Sequence, residues 1–184
     1  MLRPTNTYSG PPRGTGYLPR AVRDFLDQHG GIASTSELRS LDVDPTTLEL
    51  YRDYGALQAV RQGWHCLPSV PEVVRLAWRF GGPLACVSAL EFHGHRLMGE
   101  STAAELVAQP LHVCLPSNAA RVPNPELLAR RWGIAEPLQP VIHWSTSDHR
   151  SGDRRAASPA VAVRQADRCD SYPPLSGSAR SPSG

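Results

Sequence analysis

Three side chains at helical spacing, Thr46, Glu49 and Arg52, follow an Asp44-Pro45 step, and Arg61-Gln62 lies nine residues beyond the last of them. Positions three apart share a helix face, so a hydroxyl, a carboxylate and a guanidinium project together. The set suits duplex DNA: Arg contacts phosphate or a guanine edge, Thr a phosphate oxygen, and Glu accepts from cytosine N4. Arg39, on the helix before, and Arg61 with Gln62 supply further contacts. The candidate DNA-contacting residues are therefore Arg39, Thr46, Glu49, Arg52, Arg61 and Gln62. Charge works against them in part. Between residues 17 and 68 five arginines stand against seven carboxylates, whereas DNA affinity rests on cations that displace condensed counterions. A helical wheel sets Thr46, Glu49, Arg52 and Asp53 opposite Leu48, Tyr51 and Tyr54, so half of the outward set is anionic.

Other chemistry is poorly provided for. All nineteen basic residues are Arg, which excludes phosphate-loop lysines, lysine Schiff bases and Lys-containing nuclease motifs. Neither a G-x-S-x-G elbow nor an H-E-x-x-H helix occurs. His93-Gly94-His95, the same-face pair His112 and Cys114, and His143 are of zinc-ligand type, yet the tight pairs that announce zinc are absent. Cys66, Cys86, Cys114 and Cys169, with spacings of 20, 28 and 55 residues, read as reduced, mostly buried thiols. The expectation is a protein that is not an enzyme and holds neither metal nor other cofactor.

The elements that must carry the DNA-facing set can be taken in order. Leu18, Val22, Phe25, Leu26 and His29 make one apolar stripe, and Gly30-Gly31 stops that helix. Ser34-Thr35-Ser36-Glu37 is a capping box opening a second helix with Leu38 and Leu41 inward. Asp44-Pro45 opens a third, to about Tyr54, because Asp caps free amides and Pro at the first position has none. Leu57–Val60 and Trp64–Leu67 are two strands around an Arg61-Gln62-Gly63 loop. Three helices followed by a hairpin spell a winged helix-turn-helix over 17–68, preceded by a flexible arm, 1–16, that carries Arg3 and Arg13.

The text HGGIASTSELRSLDVDPTTLELYRDYGALQAVRQGWHCLP, residues 29–68, resembles the N-terminal domain of the AbiEi-type antitoxins, transcriptional regulators of bacterial type IV toxin–antitoxin and abortive-infection systems. GGPLACVSALEFHGH at 81–95, LHVCLP at 111–116 and VIHW at 141–144 look like second-domain elements of actinobacterial members, so the resemblance covers about residues 18–145. It implies an operator-binding winged helix and a second domain that counters a toxin without touching it.

Residues 69–144 read as a small α+β domain. Helical spacing marks 71–80 and 84–92, strict alternation makes 111–115 a half-buried strand, 125–132 follows an Asn124-Pro125 start, and 141–144 is a second strand. From Ser145 the chain holds nine Ser and six Arg in its last forty residues, a composition too poor in apolar area to offset its ordering entropy. Residues 145–184 are therefore expected to be a disordered tail, with the second domain incomplete, as after a frameshift, and its strand edges open.

The 184-residue chain is 40% hydrophobic with a net charge of +2, and neither a signal-peptide core nor an 18-residue apolar run appears. The combined expectation is an α+β, cytoplasmic, non-membrane regulator, the autorepressing antitoxin of a type IV system, that binds double-stranded operator DNA. Two alternatives stand beside it: a winged-helix protein-docking module without DNA binding, and the remnant of a nuclease-type protein.

Overall fold

The computed structural model describes residues 17–94, 110–119, 122–135 and 137–170. It is a mixed helix-and-strand structure that divides into two compact units, Met1–Ser69 and Val70–Gly184. The N-terminal arm, His95 and residues 171–184 of the expected tail lie outside the described residues. No helix among those described is long and apolar enough to cross a membrane.

The first unit follows its local signals closely. Helix α1 (Arg20–Gln28) buries Val22 and Leu26, and Gly30 and Gly31, at φ 65° and 81°, turn the chain back. That reversal makes a short strand, β1 (Ile32–Ser34), where the sequence offered only a helix stop. Ser34 then opens α2 (Thr35–Ser40): its Oγ accepts from the Glu37 amide at 3.2 Å while Glu37 Oε2 accepts from the Ser34 amide at 2.8 Å. Asp44 opens α3 (Pro45–Asp53), its Oδ1 accepting from the amides of Thr46 at 2.8 Å and Thr47 at 3.0 Å. The Thr47 hydroxyl and these amides hold the Asp44 carboxyl below its ordinary pKa.

Gly55, at φ 67°, ends α3 and leads into β2 (Gln58–Arg61) and β3 (Trp64–Cys66). The three strands form an antiparallel sheet in the order β1-β3-β2. In it Ile32 is opposite Cys66, Gln58 is opposite Cys66 on the other side, and a register shift falls between Ala59 and Arg61. The connecting loop is two residues, Gln62-Gly63, because Arg61 is itself paired with Trp64. This corrects the three-residue loop expected from the sequence. Leu18, Val22, Leu26, Ile32, Leu38, Leu57 and Val60 fill the core of the unit, each such burial stabilising by roughly 1.5–3 kcal/mol.

The second unit contains α4 (Glu72–Phe80), α5 (Cys86–Phe92), β4 (His112–Pro116), α6 (Pro125–Trp132), β5 (Val141–Ser145) and α7 (Pro159–Ala166). β4 and β5 pair in parallel, with Cys114 opposite His143. Parallel neighbours need a crossover, and α6 lies within it.

The other edge of β4 is not open. The amide of Cys114 donates to Pro83 O at 3.0 Å and that of Ala85 to His112 O at 2.9 Å, so Pro83–Ala85 runs along it. Leu84 in turn exchanges bonds with Arg155 O and the Ala157 amide, at 3.0 and 2.8 Å. This layering requires Gly82, where a Cβ would overlap the carbonyl oxygen of Cys114.

The expected disorder from residue 145 onward is thereby corrected for 145–170, and with it the expectation that both edges of β4 lack partners. Helix α7 packs on α5, burying Val161, Ala162, Gln165 and Ala166. Trp78 Nε1 donates to Arg154 O at 2.6 Å, His93 Nε2 lies 2.9 Å from Ala157 O, and Arg164 pairs with Asp148 at 3.1 Å. The segment folds because alanines do the packing: Ala89, Ala157, Ala162 and Ala166 are at most 2% exposed. Small side chains give close approach without the large apolar residues whose scarcity had suggested disorder.

Candidate functional site

The DNA-facing set gathers on the first unit. Thr46, Glu49 and Arg52 are exposed on α3, Arg39 is exposed on α2, and Gln62 is exposed at the hairpin tip, while Arg61 is half-buried beside it. Arg39, Arg52 and Arg61 have no salt bridge among the described residues, whereas Arg20 is spent on Asp24 at 3.5 Å. Of the seven carboxylates, Glu37 and Asp44 are engaged as caps.

Arg52 approaches β3. Burial depresses the pKa of His65, and the charge of Arg52 depresses it further. His65 Nε2 lies 3.0 Å from Thr35 Oγ1, which ties β3 to the start of α2. The wheel placed Tyr54 on the inner face with Leu48 and Tyr51. The structure buries Leu48, half-buries Tyr51 and leaves Tyr54 45% exposed, with its ring stacked at 6.1 Å on Tyr17. Leu50, also on α3, is 47% exposed.

A second constellation lies in the second unit and was missed in the sequence. Cys86, His112, His143 and Cys169 place one nitrogen or sulfur each within 4.8 Å of all the others. His112 Nδ1 and His143 Nε2 are 3.0 Å apart, and Cys169 Sγ is 3.8 Å from the first and 4.0 Å from the second. Cys86, His112 and His143 come from α5, β4 and β5, and Cys169 from the turn that follows α7. His112 and Cys114 share a strand face, and α7 runs against it so that Gln165 meets Cys114 and Cys169 meets His112. Two strand residues and four helical residues span nearly the same length, about 6–7 Å.

Cys86 and His112 are buried, and His143 and Cys169 half-buried. Burial pushes the Cys86 thiol up to about 12, with Cys169 adding to the rise. Burial, helped by His143, brings His112 down to about 4, and burial lowers His143 as well. Gln165 Oε1 accepts from the Cys86 amide at 2.9 Å, fixing the start of α5. There Cys86 has φ 48°, a left-handed conformation that non-glycine residues adopt at a cost of about 1–3 kcal/mol.

The sequence had singled out His112 and His143 as zinc-type residues and paired them with Cys114 and His93. Cys114 instead receives the Gln165 amide, at 3.7 Å, and His93 turns to Ala157 O. Cys86 and Cys169 carry no tight-pair signal, and only the topology brings them in. All four cysteines are free thiols, three buried and Cys169 partly so. No protein-family model matches this chain, and no curated protein is significantly similar to it.

Proposed function

We propose that the first unit is a winged helix and that the protein is a DNA-binding transcriptional regulator, with α3 entering the major groove and the β2–β3 hairpin lying on the flanking backbone. The observation that carries this reading is that Arg39, Arg52 and Arg61, on α2, α3 and the hairpin of one unit, have no salt bridge among the described residues. Cations free of internal partners are what phosphate contacts require, and the helix order with strand order β1-β3-β2 supports the same reading. Thr46 and Glu49 are the base-reading candidates, and Gln62 joins Arg61 at the wing. Following the resemblance to AbiEi-type antitoxins, the operator belongs to the promoter of a toxin–antitoxin gene pair, and the toxin is functionally linked without direct contact.

The test is a titration of full-length protein against duplex from its own upstream region, beside scrambled duplex, at two salt concentrations. Preferential binding that weakens with salt is the expected result. Equal or absent binding overturns it and favours the second reading, a protein-docking module. That reading draws on the exposed Leu50, Tyr54 and Tyr17, an apolar group that phosphate contacts do not use.

A further inference from the structure

We propose that Cys86, His112, His143 and Cys169 form a closed, structural zinc site that locks the 145–170 segment onto the β4–β5 pair. The site stands independently of the DNA-binding reading. Two thiolates with two imidazoles is a donor set that selects zinc over the oxygen-seeking cations, and four protein ligands leave no open position for catalysis.

Three of the ligand separations suit a tetrahedron. With Zn–N near 2.0–2.1 Å and Zn–S near 2.3 Å, neighbouring ligand atoms should be about 3.3 Å apart for two nitrogens and about 3.6 Å for nitrogen and sulfur. The separations of 3.0, 3.8 and 4.0 Å fall within about half an ångström of these values, and Cys86 Sγ lies inside the same 4.8 Å envelope.

Without a cation the cluster is a poor arrangement of buried polar groups. Two imidazoles share a single proton between facing nitrogens, and two thiols contribute only weak hydrogen bonds. Burial of polar groups so incompletely paired is unfavourable, and a shared ion would satisfy all four lone pairs at once. Binding releases both thiol protons to solvent and leaves each imidazole neutral, with its other nitrogen protonated. Gln165 acts as a positioning residue: it holds the Cys86 backbone in its left-handed turn from the helix that precedes Cys169.

The same site adds to the alanine packing that orders a segment rich in Ser and Arg. A four-ligand zinc contributes folding free energy directly, and here it ties α5 and both strands to the end of α7.

The experiment is a Co2+ titration of the full chain under reducing conditions, followed by displacement with Zn2+ and metal analysis of the product. One Co2+ per chain is expected, with thiolate-to-metal charge transfer and the strong visible bands of a tetrahedral centre, displaced by one Zn2+. Cys86→Ser and Cys169→Ser should each weaken binding by more than about 100-fold, while Cys66→Ser in the other unit leaves it unchanged. His143→Cys, which keeps four donors, should retain one equivalent with stronger thiolate absorption, and so separates ligand loss from misfolding. A folded wild-type chain that takes up less than one equivalent, shows no thiolate band, or joins Cys86 to Cys169 as a disulfide under these conditions overturns the proposal. So does an unchanged spectrum in the two serine variants.

Discussion

Gln165 reaches the Cys86 amide at 2.9 Å across 79 residues of sequence, while its own amide group lies 3.7 Å from Cys114 Sγ and 3.3 Å from Asp148. One side chain thus joins the start of α5, the middle of β4 and the turn after β5, at only 8% exposure.

Gln165→Ala should destabilise the second unit by about 1–3 kcal/mol, because it strands a buried amide and leaves a small void. Gln165→Glu should be worse, since a carboxylate would face Asp148. Urea denaturation followed by tryptophan fluorescence would measure both, and a cost for Gln165→Ala within error of zero would remove the central role assigned to this residue.

Three glycines separate close approach from backbone freedom. Gly82→Ala drives a methyl into the Cys114 carbonyl and Gly152→Ala drives one into that of Ala156, each costing on the order of 3 kcal/mol. Gly63→Ala at the hairpin tip meets nothing within 4 Å, so only its φ of 75° counts, at about 1–2 kcal/mol. Thermal melts of the three variants should show Gly63→Ala as the mildest.

Ser34→Ala removes one half of the capping box on α2 and should cost about 1 kcal/mol. Ser34→Thr or Ser34→Asp, which restore an acceptor, should recover most of it in the same denaturation assay.

His65 makes the first unit acid-sensitive. Its folded pKa lies below 6.5 through burial, aided by Arg52, so between the two values the unfolded chain binds the extra proton. Stability is therefore full above about pH 6.5 and falls as pH drops below it. Amide protection in β3, corrected for intrinsic exchange rates, should decline over that range, and Arg52→Gln should soften the decline.

For DNA, Arg52→Ala and Arg61→Ala should each lower the slope of log affinity against log salt by about one if they contact phosphate. Thr46→Ala or Glu49→Ala should instead relax preference at single positions, at about 1–3 kcal/mol per contact. Competition with point-mutated duplexes distinguishes the two classes.

Much of the first unit was legible because its signals are local: Ser34-x-x-Glu37, Asp44-Pro45, and glycines at 30, 31, 55 and 63. Strand β1 was not, since three residues after a double glycine become a strand only by pairing with β3. The Cys/His cluster escaped for a related reason. His112 and His143 are 31 residues apart and His143 and Cys169 are 26, so no local spacing announces them. Helix α7 was hidden by composition, because counting large apolar residues overlooks alanines whose value lies in how closely they allow two helices to approach.

The placement of Arg154 and Gln165 against residues some eighty positions earlier sets an order of events at the ribosome. In the first unit Thr35 and His65 are bonded across 30 residues, whereas in the second Trp78 waits for Arg154 and Cys86 for Gln165, 76 and 79 residues later. Domains generally fold as units, N-terminal first, during synthesis, and distant contacts slow closure. The first unit can therefore finish while α4, α5 and β4 are still emerging, and one β4 edge stays uncovered until β5, residues 141–145, follows. Through that interval the nascent chain presents an unpaired strand, the natural client of a holding chaperone.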